Sequence, residues 1–197
     1  VQAMLARSLN CPQTTAAGRW FDAVAGLLGL SVRQDMEAQA AIALEQAAAR
    51  HLQSHGGVLE LRTDPADAPV DPTGRVDLRP LCARWAQGQA STAAQIDAAA
   101  ARFHCTLADA LVAQAALAAH ARGVRCVVLG GGCFFNRILS DRTIAGLQAR
   151  GLQVRTAGTL SCGDAALALG QAWVAAHPWG AQQTGFVNSN EEVGACA

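Results

Sequence analysis

The sequence predicts a helix-rich α/β domain whose last third is a βαβα unit. Three observations carry this. Alanine-rich segments with apolar residues at helical spacing fill most of the chain up to residue 122. The continuous apolar run Arg125-Cys-Val-Val-Leu129 is bounded by glycines, which suits a buried parallel strand. A second strand-like run, Gln153 to Thr156, follows one intervening helical segment, so the two strands form a parallel pair.

The elements follow in order. Residues 1–9 read as a helix end closed by Asn10-Cys-Pro12. Thr14 and Thr15 are the expected caps of a helix from about Ala16 to Leu28, with Trp20, Phe21, Val24, Leu27 and Leu28 on one side. Asp35 to His51 is the next helix, with Asp35, Glu37 and Glu45 toward its start and Arg50 near its end, as the dipole favours. Val58 to Arg62 alternates like a strand. Residues 63–74, rich in Pro and Asp, are a loop. Arg75 to Leu78 is expected as a short strand and Arg79 to Gln87 as a helix. Residues 92–122 form a long helical stretch with an expected break near Phe103-His104-Cys105. After the first strand come a helix from Phe134 to Arg150, the second strand, and a last helix from Asp164 to Ala176. The division is therefore a helical part, 1–122, a βαβα part, 123–177, and a flexible tail, 178–197.

Composition excludes several classes. The chain has 197 residues, 51 % of them apolar and 15 % charged, which is globular rather than disordered. Fifteen basic and fifteen acidic residues cancel, and no basic stripe is present, so nucleic acid is not an expected partner. No segment reaches the roughly 18 uninterrupted apolar residues of a membrane span. The seven cysteines form no CxxC pair, which points to reduced thiols in a cytoplasmic protein. The first residue is Val1, not Met, which suggests a fragment of a longer chain.

Two turns carry the candidate chemistry. Gly130, Gly131 and Gly132 stand where a strand ends and a helix begins. Glycine lets backbone approach a ligand, and the first amides of the following helix are candidate anion donors. Asn136 lies one turn on, placed to bond a ribose or base. Neither a Walker loop nor GxGxxG is present. Ser161-Cys-Gly-Asp164 forms the second turn, and its aspartate reads either as a helix cap or as a ligand of a divalent cation. Both turns should open at the same edge of the sheet. Cys133, beside the glycines, reads either as a thiol of lowered pKa or as a small buried apolar side chain. His51 and His55 have metal-ligand spacing but straddle an expected helix end, without an obvious third ligand.

Four segments, in order, resemble one family. Thr14 to Leu30 is similar to TSSxGRxFDAVAALLGL, Glu37 to Glu45 to EGQAAxxLE, Leu129 to Leu139 to LSGGVFQNRLL, and Gly163 to Gln171 to GDGGLALGQ. The chain from residue 1 to about 177 thereby resembles the large domain of the HypF hydrogenase-maturation carbamoyltransferases, related to the Kae1/TsaD threonylcarbamoyl transferases. The resemblance implies the second lobe of an actin-like, RNase H-like ATPase fold with an added helical layer. It implies ATP and carbamoyl adenylate as ligands, a divalent metal (Mg, Fe or Zn), and transfer of carbamoyl to the C-terminal cysteine of a HypE-type partner. By motif position, Asp22 matches a carboxylate that binds the nucleotide-linked substrate. Glu37 and Ala38 match a Glu-Gly pair near the ribose. Gly131, Gly132 and Asn136 match the glycine turn and its asparagine, and Asp164 matches a metal carboxylate.

The departures are specific. Gly130 replaces the family's serine, Ala38 replaces a glycine, and Ala165 and Ala166 replace two more. Wherever those glycines have positive φ, alanine is unfavourable by about 1 kcal/mol or more. The first lobe and the adenylating domains that precede this region in the family are not among these 197 residues. The expectation is an incomplete catalyst on its own. The alternatives are a degenerate lobe that acts as a binding or assembly module, and a tRNA threonylcarbamoyl transferase relative. The neutral charge and the Gly18-Arg-Trp-Phe-Asp22 variant speak against the last.

Overall fold

A computed structural model describes residues 2–87 and 90–177. The tail at 178–197, expected to be flexible, lies outside the described residues. Seven α-helices and two strands are present among them: α1 (Gln2–Ala6), α2 (Ala17–Leu27), α3 (Gln39–Ser54), α4 (Arg79–Ala86), α5 (Ala93–Arg122), β1 (Cys126–Val128), α6 (Arg137–Ala149), β2 (Gln153–Arg155) and α7 (Leu167–Ala176). Short 3-10 turns at Pro65–Asp67, Gly132–Phe135 and Asp164–Ala166 join them.

The long helix α5 organises the rest. Thr92 and Gln95 form a capping box at its start, and Gly123 in the left-handed region closes it. It runs unbroken for 30 residues, about 45 Å. The expected break at Phe103-His104-Cys105 is absent, because these three side chains are buried and nothing there leaves the backbone ladder open. Against α5 pack α2, α3 and α6, and α4 joins through α2 and the Pro65–Asp67 turn. Their shared core holds Phe21, Val24, Leu44, Leu81, Phe103 and Leu139. Fully burying each such side chain contributes about 1.5–3 kcal/mol. Phe21 and Phe103 meet edge to face, centroids 5.0 Å apart.

A smaller core forms where α5 and α6 meet the strands, from Val112, Leu129 and Leu147, with Val127 and Val154 beside them. The strands pair parallel, with Val127 opposite Val154. Gly146 lets α6 approach α5, since a Cβ there would lie 2.9 Å from Val112 Cγ2.

Local expectations fail where side chains outcompete the backbone. Val58 to Arg62 is not a strand. The Val58 carbonyl instead accepts hydrogen bonds from Arg142 Nη1 and the Cys105 thiol. Arg142 also holds Asp109 through two hydrogen bonds of 2.8 and 2.7 Å. The expected strand at 75–78 shrinks to an isolated bridge between Val70 and Val76. Thr14 and Thr15 do not cap α2. Ala16 is the N-cap, and the Thr14 hydroxyl accepts from the Ala16 amide. Helix α3 begins at Gln39 rather than Asp35, because the Gln39 side chain accepts from the amides of Asp35 and Met36 and holds that segment as a loop.

Candidate functional site

The two turns singled out in the sequence are held together at one end of the strand pair. Strand β1 ends as the Leu129 amide donates to the Arg155 carbonyl at 2.9 Å. Gly131 then takes φ 105° and ψ 147°, a region that side chains exclude. In that pose its amide donates to the Cys162 carbonyl at 2.6 Å, across to the second turn. Gly163 completes the contact: a Cβ there would lie 2.9 Å from the Phe135 ring and 3.7 Å from the Gly132 Cα. The amides of Gly130, Gly132 and Cys133 donate to no backbone acceptor among the described residues. They are the unspent donors at this end of the sheet.

Two of the first amides of α6 are already spent within the protein, which the sequence did not anticipate. Glu45 Oε1 already accepts from the Arg137 amide at 2.7 Å, and Asn136 Oδ1 accepts from the Leu139 amide at 2.9 Å. A carboxylate from the protein itself sits on the positive end of the helix. Asn136 is 8 % exposed and faces inward, its Nδ2 lying 2.9 Å from His104 Nε2. Its side chain caps α6 and reaches the core.

Helix α2 forms a second wall. Asp22 accepts from Gln34 Nε2 at 2.9 Å and pairs with Arg19 at 2.8 Å. The Gln34 bond ties Asp22 to the loop that carries Glu37 and Ala38. Gly18, one turn before Asp22, lies against the Cys133 thiol. Burial pushes the Cys133 thiol up; nearby Arg19 pulls it down and Asp22 adds to the rise. The net direction is upward, so the reading of Cys133 as a thiol of lowered pKa is corrected: it is a half-buried apolar neighbour of α2.

Glu37 is exposed, and Ala38 sits in the left-handed region with φ 58° and ψ 10° at the N-cap of α3. This is one place where the loss of a family glycine carries backbone strain. Ala165 and Ala166 do not share it, since neither has positive φ. Asp164 is exposed and begins a 3-10 turn whose N-cap is Gly163, so the aspartate is not a side-chain cap.

A metal centre does not assemble from the described residues. Among the described residues no three His, Cys, Asp or Glu side chains stand close enough to hold an ion. Asp164 offers one carboxylate and no more. His51 and His55 stack ring on ring at 4.0 Å at the end of α3, and His55 Nδ1 approaches the His51 carbonyl at 2.8 Å. A cavity of about 470 Å³ lies elsewhere, in the helical layer, lined by His51, Arg62, Trp85, Gln95 and Arg102. The turns themselves form an open rim.

Sequence reasoning missed Arg19, Glu45 and His104. Glu45 had a signal, because it closes the motif that starts at Glu37. His104 had one too, as a lone imidazole in an alanine-rich apolar helix. Arg19 stands one turn before Asp22, the spacing of a helical ion pair.

Comparison with known proteins places this geometry. The sequence profile of the family described as "Carbamoyltransferase, Kae1-like Domain, second subdomain" matches residues 1–171. The chain is 51 % identical over 201 residues to a carbamoyltransferase HypF homolog of Cupriavidus necator, covering all of this chain and 49 % of that protein. It is 40 % identical to carbamoyltransferase HypF2 of the same organism, over 89 % of this chain and 23 % of that one. It is 36 % identical to carbamoyltransferase HypF of Rhizobium leguminosarum bv. viciae, over 86 % of this chain and 20 % of that protein. A crystal structure of full-length HypF in a phosphate- and nucleotide-bound form superposes with a TM-score of 0.68 at 28 % identity, covering 88 % of this chain and 22 % of that one. The T. kodakarensis HypF structure superposes with a TM-score of 0.71 at 24 % identity, over 87 % and 21 % of the two chains, and supports the fold. The chain thus spans about half the length of the first relative and about a fifth to a quarter of the others. With ordered motifs, fold and sequence in agreement, the chain belongs to the HypF carbamoyltransferase family and corresponds to the second subdomain of its Kae1-like domain.

Proposed function

We propose that this chain supplies the nucleotide-holding half of a carbamoyl-transfer site. In this reading the adenylate phosphate of carbamoyl adenylate rests on the free amides of Gly132 and Cys133, with Gly130 beside them. Asp22 and Glu37 face the ribose side. The observation that carries the reading is the junction of the two turns. The Gly131–Cys162 hydrogen bond fixes three unspent backbone donors at the end of a parallel strand pair, where ligands of open α/β sheets gather. A phosphate- and nucleotide-bound relative of the same fold supports it.

The acceptor in this proposal is the C-terminal cysteine of a HypE-type partner, in the cytoplasm, on the route to the cyanide ligand of [NiFe] hydrogenase. Its thiolate attacks the carbamoyl carbon, the C–O bond to the phosphate breaks, and AMP leaves with the electron pair. Backbone donors that receive the growing negative charge on AMP favour that departure. The chain's own thiol at Cys133 is given no role, since burial pushes its pKa up rather than down. A full site also needs the first lobe of the same enzyme. No step is assigned to a metal here, since the described residues do not compose a metal centre.

Titration of the ¹⁵N-labelled chain with ATP and Mg²⁺, followed by amide NMR, tests the proposal. The expected result is shifts centred on Gly130, Gly132 and Cys133 that vanish in Gly131→Ala. Absence of shifts there would refute it and favour a binding or assembly module that has lost the nucleotide. The chain alone is expected to transfer no carbamoyl group.

A further inference from the structure

His104 occupies the point where the walls of the proposed cleft meet. Its ring is fully buried in α5. Nδ1 lies 2.8 Å from the Ala100 carbonyl, and a carbonyl only accepts, so Nδ1 carries the proton. Nε2 is then a lone-pair acceptor, and it receives the Asn136 Nδ2 hydrogen at 2.9 Å. This bond fixes which way the asparagine amide faces. With Nδ2 on the imidazole, Oδ1 is left for the Leu139 amide at 2.9 Å. A reversed amide would set two lone pairs against each other at one end and two N–H groups at the other. Tautomer and amide orientation therefore enforce each other.

The consequence reaches the glycine turn. Asn136 ends the 3-10 turn Gly132–Phe135, and its own amide donates back to the Cys133 carbonyl at 3.2 Å. Its fixed position thus anchors the C-terminal end of the turn whose first residues carry the free Gly132 and Cys133 amides. The same imidazole also touches the other wall. Phe21 meets it edge to face at 5.4 Å, and Phe21 precedes Asp22 on α2. Phe103 closes the ring's third side at 5.6 Å.

We infer that His104 is a positioning residue of the carbamoyl-transfer site: through Asn136 and Phe21 it holds the glycine turn and the Asp22 helix in register while touching no substrate itself. The inference rests on the nucleotide reading above, and the test separates the two.

Long-range ¹H–¹⁵N spectra of the full chain should show His104 with a protonated Nδ1 and a bare Nε2. In Asn136→Asp the cap on α6 survives, but the new carboxylate cannot donate, so His104 should gain a proton on Nε2. Affinity for ATP with Mg²⁺ should fall about tenfold in His104→Leu, the loss expected when a buried donor is left without its acceptor. His104→Gln, which can accept from Asn136 and donate to Ala100, should recover affinity to within about threefold of wild type. No ATP-induced shifts in wild type would sink the nucleotide reading, and the inference with it. Wild-type binding together with undiminished binding by His104→Leu would overturn the inference alone, as would a bare Nδ1 in wild type. Should His104→Leu not fold, the added Nε2 proton in Asn136→Asp and the affinity of His104→Gln decide the question.

Discussion

Ala38→Gly should make the protein more stable, although glycine has the greater freedom in the unfolded chain. Ala38 holds φ 58° and ψ 10°. For a residue with a Cβ the left-handed region costs about 1–2 kcal/mol, and glycine does not incur it. Glycine also serves better than alanine at an N-cap, by a few tenths of a kcal/mol or more. Against this stands the larger freedom of glycine in the unfolded chain, about 0.4–1 kcal/mol. The remainder is about 1 kcal/mol in favour of the variant. For a chain of 197 residues that raises Tm by about 2–4 °C. The surrounding loop should not relax to absorb the strain in wild type, because Gln39 clamps the amides of Asp35 and Met36. Thermal and urea unfolding of wild type, Ala38→Gly and Ala38→Val provide the assay. Valine, β-branched, should be less stable than alanine there. A glycine variant with equal or lower Tm would refute the reasoning.

Two further outcomes are expected. Burial lowers the His104 imidazole from 6.5 to about 4 and outweighs the opposing hydrogen bond to Ala100. Between those values the unfolded state holds the extra proton, so stability is full above pH 6.5 and declines as the pH falls toward 4. The interval corresponds to a loss of about 3 kcal/mol. Urea midpoints measured from pH 7 to pH 4 should therefore fall more steeply in wild type than in His104→Gln, and parallel curves would contradict the buried, neutral imidazole. In Gly146→Ala the new methyl meets Val112 at 2.9 Å. Crowding of about 1–3 kcal/mol, less about 1 kcal/mol gained in helix propensity, leaves a net loss of about 1 kcal/mol. The penalty should shrink in a Val112→Ala background, and a double-mutant cycle without coupling would exclude close approach of α5 and α6 as the cause.

The parts of the fold legible in the sequence are those fixed by short-range pattern. The apolar run before Gly130 is β1, although it is largely exposed rather than buried; the segment between Asn136 and Arg150 is α6, and the two strands pair parallel as expected. The two turns also meet, as their shared sheet edge requires. What stayed hidden depends on partners far along the chain. Val58 to Arg62 has the alternation of a strand, yet Arg142 claims its carbonyl from 84 positions away. Asn136 reads as a ligand-facing amide until His104, 32 positions earlier, turns it inward. The helix start after the glycine turn reads as an anion site until Glu45, 92 positions earlier, occupies it. Of the glycine-to-alanine changes the sequence could flag all three, but only the backbone angles single out Ala38 as the strained one.

The unbroken course of α5 has a mechanical consequence. One helix lends Phe103 and Leu107 to the larger core and Val112 to the smaller, and Phe134 packs against both. Neither core can loosen without bending that shared beam. The body formed by α2 to α6 and the strands should therefore open and close as one cooperative unit. In the proposed reading, the movement that admits a nucleotide or a partner's cysteine belongs outside this body, which carries its glycine turn unchanged.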